Sequence, residues 1–476
     1  MKNYLSETEG IIVGLFCAPP HGSNGNPNYM TEENYRALKE AGVDLIMGNN
    51  EIFSTPEEGY AFASIALCEK TGLKYFAYDD LSGYFYSIGK LCPWTKNKKA
   101  FWEYSEQEKK DLLERYAKSL ERYMKNDTCV GVKFSDEIGW AMLDGIKYAK
   151  DYFDKEYPDK IFFINMLGYN VSDAEYMYGM PGAGMPDKAT FRLQEMPEVS
   201  IEYATKIGRW DIFANKVLDT LDLPVLTQDS YAMEPIGGVN NVVNRCLYDL
   251  SSYLATVKKK RGIPVGNFIQ DGHWDKSSRG PLTKSEFDLQ VNVLVAYGMD
   301  MILIYPGCWP TETNCLTGNA GLIDRNGQVS PVCDYMKLAN RQLRAVDKNI
   351  RSATFVGMMA AGEFKSLQPK DLSGIEWNDA IFVGELPPDT LIDAFAGIRE
   401  VRATSQCILG CFESETHRMC YIVNNSISFA ADCFVSLDGE KEIAYIRDGA
   451  EEKIVSDKVE IYGLPAGASA FIKYKK

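Results

Sequence analysis

Short apolar runs alternate with longer amphipathic segments along the first 350 residues of the chain. A typical unit is IIVGLFC at 11–17, which is followed by TEENYRALKEAG at 31–42. In the second segment Thr31 suits the N-cap of a helix, and Gly42 suits the position that follows the last turn. The unit therefore predicts a strand, a loop and a helix, in that order.

The same unit occurs eight times. The predicted strands are continuously apolar and lie at 11–17, 43–48, 73–78, 129–134, 160–167, 223–228, 263–270 and 299–305. The predicted helices are amphipathic and lie near 31–42, 57–71, 105–125, 141–156, 198–220, 239–260, 283–297 and 331–347. Strands that are apolar on both faces are typical of a parallel sheet covered by helices. Eight such units predict a (β/α)₈ TIM barrel over residues 1–350.

After residue 350 the helical periodicity ends, and short β-like runs separated by turn residues replace it. Examples are ATFVGMM, CILGCFES, MCYIVNNS and SAFIKYKK. Runs of this kind are typical of an antiparallel β-sandwich. We therefore expect a barrel at 1–350, a joining segment with strands at 351–385, and a β-sandwich domain at 386–476.

The loops of the predicted barrel differ in length at its two ends. Each helix reaches the next strand through a short turn, whereas loops at 79–104, 168–197 and 306–330 follow strands and are long. Long loops in compact domains are usually functional, and in barrels the loops after the strands build the active face. The functional site is therefore expected at the carboxyl ends of the strands.

Composition narrows the class of partner. A net charge of −15 disfavours nucleic acid, and no apolar window is long enough to span a membrane. The first residues do not resemble a secretory signal, so we expect a cytoplasmic protein. The twelve cysteines include no CxxC pair, and the three histidines lie far apart. We expect buried thiols, no metal and no cofactor, and the sequence leaves a homo-oligomer open.

The candidate chemistry lies where the predicted strands end. The stretch VGVKFSDEIGW, at 130–140, ends an apolar strand on two adjacent carboxylates, Asp136 and Glu137. The other strand ends also contribute carboxylates, amides and aromatic rings. The full set of candidate site residues is Asp79, Asp136, Glu137, Asn165, Asp229, Tyr231, Gln270, Asp271, Trp274, Tyr305 and Trp309.

This mixture suits a neutral sugar, because carboxylates and amides bind hydroxyl groups and aromatic faces stack on pyranose rings. Cleavage of a glycosidic bond requires two carboxyl groups, one of them protonated. We predict Glu137 as the general acid/base and Asp229 as the leading second carboxylate, and we predict the other nine residues to bind substrate. The structural alternatives are a helix-terminal carboxylate for Glu137 and a turn residue for Asp229.

Several motifs, taken in order, resemble those of clan A glycoside hydrolases. They are FSDEIGW, FFINMLGY, LTQDSYAM and VAYGMDMILIYPGCWP. The sequence is similar to β-galactosidase-like members, in particular a bacterial subgroup with an Asp-Glu motif after strand four. The resemblance implies a (β/α)₈ barrel and the acid/base role for Glu137. The nucleophile of this clan is a glutamate at the end of strand seven, where this chain has Gln270, which is uncharged and cannot form a glycosyl ester.

The main hypothesis is a glycosidase that acts on small glycosides or oligosaccharides, with the retaining and inverting mechanisms both open. One alternative is a barrel that binds carbohydrate without cleaving it, which the glutamine at position 270 favours. The other is a cation-assisted lyase or isomerase acting on a sugar, with Asp79, Asp80 and Asp136 as oxygen ligands.

Overall fold

The computed structural model describes residues 2–22, 28–48, 59–89, 99–168, 171, 173–179, 206–233, 243–273, 282–308, 321–324, 326–363 and 385–476. Two of the predicted stacking residues, Trp274 and Trp309, lie outside these ranges.

Eight parallel strands form a closed barrel in chain order, which confirms the predicted fold class. They are β1 Ile12–Leu15, β2 Leu45–Met47, β3 Lys74–Ala77, β4 Cys129–Ile138, β5 Ile161–Met166, β6 Leu226–Asp229, β7 Val265–Gln270 and β8 Met301–Tyr305. β4 is the longest of them and extends to the two adjacent carboxylates. The strands are buried on both faces, as a parallel sheet inside a ring of helices requires.

Helices alternate with these strands. They are α1 Tyr4–Glu7, α2 Glu32–Glu40, α3 Gly59–Thr71, α4 Ser82–Phe85, α5 Glu106–Met124, α6 Leu143–Glu156, α7 Asp173–Tyr178, α8 Lys206–Leu221, α9 Cys246–Arg261, α10 Lys284–Ala296 and α11 Pro331–Arg351. Short 3₁₀ turns occur at Phe101–Glu103, Trp140–Met142 and Pro388–Thr390.

Local sequence sets the ends of several helices. Ser105 caps α5 and forms a reciprocal capping box with Glu108, and Thr283 forms the same arrangement with Glu286 at the start of α10. α9 ends at Gly262, whose φ of 69° lies in the left-handed region that glycine adopts without strain.

The C-terminal domain is an antiparallel sheet of seven strands, which confirms the predicted β-domain. Its strands are β9 Thr354–Ala361, β10 Ile398–Ala403, β11 Cys407–Glu413, β12 His417–Asn424, β13 Ala431–Arg447, β14 Ala450–Leu464 and β15 Ser469–Lys475. The hydrogen-bonded order is β10-β13-β15-β12-β11-β9, and β14 pairs with β13. β9 falls within the segment that the sequence predicted to join the two domains.

The chain divides into two compact units. The first comprises Met1–Glu7 and Leu45–Asp229, and the second comprises Thr8–Asp44 and Ser230–Lys476. Strands β2 to β6 belong to the first unit, and β1, β7, β8 and the C-terminal sheet belong to the second.

Within the second unit the C-terminal sheet packs on helix α10. Every residue of α10 from Glu286 to Ala296 is buried. The Tyr421 hydroxyl donates a hydrogen bond of 2.6 Å to Oδ1 of Asn292 on this helix, and Asn292 Nδ2 donates one of 2.8 Å to the carbonyl of Gly467. A helix that is apolar on most of its faces requires cover on most of its faces, and the sheet provides part of that cover.

The ten cysteines of the described residues are buried, and none of them forms a disulfide. This confirms the expectation of buried thiols for that part of the chain. In the same ranges, no helix has the length and apolar character needed to cross a bilayer.

Candidate active site

The carboxyl end of β4 has an irregular backbone. The pairing of β4 with β5 shifts register between Lys133 and Ser135 and again between Ser135 and Ile138. Glu137, inside the second shift, has a φ of 48°. A residue with a Cβ seldom adopts this left-handed conformation, and strained residues of this kind concentrate at functional sites. The backbone therefore presents the Glu137 side chain at some conformational cost.

Asn165, on β5, connects the carboxylates of the neighbouring strands. Its Nδ2 donates one hydrogen bond of 2.8 Å to Oδ1 of Asp229 and another of 3.1 Å to Oδ1 of Asp136. Its Oδ1 accepts a hydrogen bond of 3.0 Å from the Thr227 hydroxyl. Because the threonine donates to the oxygen, the amide nitrogen must face the two acids. Strands β4, β5 and β6 are thereby linked through side chains at one end of the barrel.

Lys133 supplies a buried positive charge to this cluster. Its side chain is only 4% exposed, and its Nζ lies 3.0 Å from Oδ2 of Asp136. A buried ammonium is costly unless a charged partner compensates it, and Asp136 is that partner. Lys133 was not predicted from the sequence, because a single lysine within an apolar strand carries no signal of its own.

Glu137 and Asp229 are joined by a hydrogen bond between their carboxyl groups. Burial is the largest cause of a pKa for Glu137 that lies well above the ordinary value of a glutamate. The negative charges of Asp229 and Asp136 raise this pKa further, and the Lys133 ammonium lowers it. A hydrogen bond between two carboxyl groups requires one proton, and the raised pKa of Glu137 favours that proton on Glu137. The pair therefore consists of a proton donor and a carboxylate.

Asp79 follows β3, and its side chain stabilises the turn in which it lies. Its Oδ1 accepts a hydrogen bond of 2.8 Å from the backbone nitrogen of Leu81, and its Oδ2 accepts one from the Ser119 hydroxyl. Both oxygens are thus engaged in fixing the turn after the strand, an arrangement that favours a structural role. Among the described residues, no group of three side chains is placed to hold a metal ion.

Gln270 ends β7 and is completely buried. Its Oε1 accepts a hydrogen bond of 2.8 Å from the backbone nitrogen of Met233. Its Nε2 donates to the carbonyl of Gly272 at 2.8 Å and to that of Met233 at 3.2 Å. The amide therefore clamps the segment after β6 to the end of β7, a task that a carboxylate could not perform because it has no N–H to donate.

Asp271 is also completely buried and holds the segment that follows β8. The backbone nitrogen of Gly307 donates a hydrogen bond of 3.0 Å to its Oδ2. Burial raises the pKa of Asp271 to about 7, and the hydrogen bond from Gly307 opposes that rise. Gln270, at the end of β7, and Asp271, directly after it, thus order loops of the second unit.

Aromatic rings gather at the ends of strands in the same unit. The ring of Tyr305 stacks on that of Phe16, with centroids 5.7 Å apart and an interplanar angle of 27°. Tyr231 lies against Tyr305 with a centroid distance of 6.0 Å. Both tyrosines are half-buried. The two tyrosines were predicted from the sequence as site residues. Phe16 was not, because it follows β1 within an apolar run and could not be distinguished there from a core residue.

The structure therefore separates the predicted site residues into groups. Glu137, Asp229, Asp136 and Asn165 form one connected cluster in the first unit, and Asp79 lies in the turn that follows β3. Tyr231, Gln270, Asp271 and Tyr305 belong to the second unit.

Comparison with protein-family models and with curated protein sequences finds no match. Solved structures do match. The β-galactosidase from Rahnella sp. R3 aligns at a TM-score of 0.59 with 10% identity, over 99% of this chain and 99% of that one. The β-galactosidase from Bacillus circulans sp. alkalophilus aligns at 0.59 with 10% identity, over 100% of both chains. The chain shares the fold of these β-galactosidases.

A third match agrees with the first two. A catalytic mutant of Gan42B, a GH42 β-galactosidase from G. stearothermophilus, aligns at a TM-score of 0.55 with 10% identity, over 100% of both chains. The predicted resemblance to β-galactosidase-like barrels is confirmed at the level of the fold. At this identity the likeness does not extend to individual residues or to the reaction.

Proposed function

We propose that this protein is a glycoside hydrolase in which Glu137 is the general acid/base and Asp229 is the second carboxylate. The observation that carries the proposal is the hydrogen-bonded pair of buried carboxyl groups, in which burial and the neighbouring acids raise the pKa of Glu137 and so favour its protonated form. A protonated carboxyl beside an ionised one is the equipment that glycosidic bond cleavage requires.

In the proposed reaction Glu137 gives its proton to the oxygen of the departing group. The positive charge that develops on the sugar is stabilised by the Asp229 carboxylate, which Asn165 orients. Once it has lost its proton, Glu137 serves as the base in the second half of a retaining reaction. The Lys133 ammonium stabilises the cluster of Asp136, Glu137 and Asp229 when that cluster carries more than one negative charge.

The paired state must open for substrate to bind. Two carboxyl groups joined by a hydrogen bond are closer than the roughly 5–5.5 Å of retaining enzymes and the roughly 6.5–9.5 Å of inverting ones. A sugar that enters between them takes over the hydrogen bond that each carboxyl gives to the other. Asp229 then acts as the nucleophile at the shorter separation or as the base for water at the longer one, and proton NMR of the first-formed anomer distinguishes the two.

Sugar hydroxyls are proposed to bind to Asp136 and Asn165, which are adjacent to the carboxyl pair. For Tyr231, Asp271, Tyr305, Trp274 and Trp309 the binding role stays a prediction. The hydrogen bonds of Asp79 and Gln270 support a role in holding loops, since each polar atom of these side chains already bonds to the backbone or to Ser119.

The proposal is tested by hydrolysis of a panel of aryl glycosides, beginning with β-galactosides because the matched structures carry that name. Asp229→Asn should lower kcat/KM on the whole panel, and Glu137→Gln on glycosides with a poor leaving group such as phenol, each by about 100-fold or more. Glu156→Gln, at the exposed end of α6, is the matched control and should retain full activity. Unchanged turnover in both site variants would remove the assignment.

A second candidate function is carbohydrate binding without cleavage. The observation that favours it is Gln270, which occupies the end of β7 and is committed to backbone hydrogen bonds. This candidate predicts that wild-type protein binds sugars in a calorimetric titration and releases no product during long incubation. Release of product that depends on Glu137 decides in favour of the hydrolase.

A further inference from the structure

A pocket lies in the first unit, beside the 3₁₀ turn Trp140–Met142 that follows β4. Its volume is about 550 Å³, which falls within the range of small-molecule sites. The residues that matter for its chemistry are Trp102, Trp140, Asp144, Tyr178, Lys216 and Thr220.

Two tryptophans give the pocket flat apolar surfaces. Trp102 is 52% exposed, although an indole ring of this size is usually more deeply buried. The ring of Trp140 is held from one side by Phe213, with centroids 6.5 Å apart and an interplanar angle of 28°. The Nζ atom of Lys216 lies 5.2 Å from the centroid of Trp140. A ring fixed in this way is a pre-oriented surface on which the apolar face of a sugar can stack.

The polar lining selects for a neutral ligand with hydroxyl groups. Asp144 offers an acceptor, Lys216 a donor and Thr220 both, and the opposite charges of the first two cancel. A phosphate would meet a carboxylate as well as an ammonium, and the described lining residues include no arginine. A purely apolar ligand would leave the charged groups without partners.

The pocket is connected directly to the backbone that carries Glu137. Trp140 follows Glu137 by three residues, a chain distance of at most about 11 Å. Gly139 packs on the neighbouring segment so closely that a Cβ there would lie 2.1 Å from the backbone nitrogen of Gly179. A Cβ on Gly179 would lie 2.5 Å from the carbonyl oxygen of Glu137. The segment that supplies Tyr178 to the pocket therefore touches the residue that supplies the carboxyl.

We propose that this pocket is a second carbohydrate-binding site, which takes a neutral monosaccharide or disaccharide and is separate from the pair formed by Glu137 and Asp229. Trp102 and Trp140 stack on the sugar, and Asp144, Lys216 and Thr220 bind its hydroxyl groups. The proposal goes beyond the proposed hydrolase and does not depend on it, because the lining alone specifies the ligand class.

Fluorine NMR of fluorotryptophan-labelled protein tests the site without reliance on activity. The chain has seven tryptophans, and substitution of Trp102 and of Trp140 by phenylalanine, one at a time, assigns their two signals. The Glu137→Gln variant is titrated with galactose, glucose, lactose and cellobiose, so that turnover does not consume the probes. At least one sugar should shift both signals along one saturating curve.

Variants of the polar lining complete the test. Lys216→Met should weaken the binding seen at these two signals by about tenfold, because a hydrogen bond from a charged donor is lost. Lys155→Met, which removes a 79% exposed lysine at the end of α6, should leave the curve unchanged. The proposal is overturned if no sugar moves the two signals, if inorganic phosphate moves them and sugars do not, or if Lys216→Met binds as tightly as its parent. Failure of the hydrolase proposal would appear instead as absent hydrolysis with this binding intact.

Discussion

Lys133 lowers the pKa of Glu137 and so weakens the hold of the carboxyl cluster on its proton. Lys133 precedes Asp136 and Glu137 on the same strand, and its ammonium pairs with the Asp136 carboxylate at 3.0 Å. Without this charge, the mutual repulsion of Asp136, Glu137 and Asp229 would be stronger. One buried cation thus keeps the pKa of Glu137 lower than burial and the neighbouring acids alone would make it.

Lys133→Met should move the alkaline limb of the pH profile of kcat/KM to higher pH. The limb reports loss of the proton from the general acid, and removal of the nearby positive charge raises the pKa of Glu137. Lys150→Met is a matched control, because Lys150 is equally buried and pairs with Asp154 on helix α6. A limb that stays in place or moves to lower pH in Lys133→Met would contradict the role given to this lysine.

At the scale of elements, the strand ends fix the loops that follow them. Gln270 binds the backbone after β6, and Asp271 binds the backbone after β8. The sequence located both residues at the end of β7. It could not show that their side chains are directed at backbone groups of other loops, because such hydrogen bonds join positions up to 37 residues apart.

Asp271→Asn should become more stable relative to wild type as the pH rises from about 5 to about 8. The pKa of Asp271 is raised from 3.8 to about 7 in the folded protein. The folded state therefore holds this proton more tightly than the unfolded state, and the stability contributed by the protonated form is lost as the pH rises through that interval. Asparagine has no proton to lose in this range.

Thermal unfolding midpoints of wild type and variant, measured at about pH 5 and about pH 8, check this prediction. Asp334→Asn on the exposed face of α11 is the control and should show no such change. An Asp271→Asn difference that is the same at both pH values would contradict the raised pKa.

The helices and strands of the barrel were predictable because their periodicity is strong. The helix predicted at 105–125 is observed at Glu106–Met124, and the strand predicted at 263–270 is observed at Val265–Gln270. In the C-terminal domain two apolar runs of the sequence, CFVSL at 433–437 and EIAYIR at 442–447, belong to the single strand β13. A register irregularity between Ser436 and Lys441 separates them in the ladder. β10, IREVRA, was missed because its largely exposed, charged residues form no apolar run.

At the scale of the whole molecule, the C-terminal sheet contributes to the stability of the second unit. Gly410 on β11 approaches helix α10 so closely that a Cβ there would lie 2.0 Å from the carbonyl oxygen of Ala296. The Tyr421 hydroxyl reaches Asn292 on the same helix and also lies 2.7 Å from the Ser469 hydroxyl. The contact combines close backbone packing with a buried network of hydrogen bonds, in which Asn292 Oδ1 also accepts one of 3.0 Å from the Ser469 hydroxyl.

Tyr421→Phe should destabilise the protein by about 1 kcal/mol, because one of the two buried hydrogen bonds to Asn292 Oδ1 is lost and the one from the Ser469 hydroxyl remains. Tyr462→Phe is the matched control, since that side chain is 58% exposed and its hydroxyl bonds only to an exposed glutamate. The control should change stability by less than about 0.5 kcal/mol. Equal effects of the two substitutions in thermal unfolding would contradict a stabilising contact between sheet and helix.

The role of Glu137 as proton donor to the leaving group can be tested with substrates whose leaving groups differ in acidity. The measurement is kcat/KM of Glu137→Gln relative to wild type on a phenyl and on a dinitrophenyl glycoside of the sugar that the wild type hydrolyses. A dinitrophenolate departs without protonation, whereas a phenolate needs a proton. We expect kcat/KM of Glu137→Gln to fall by about 100-fold or more on the phenyl glycoside and by less than about tenfold on the dinitrophenyl glycoside. Equal losses on the two substrates, or no loss on either, would contradict it.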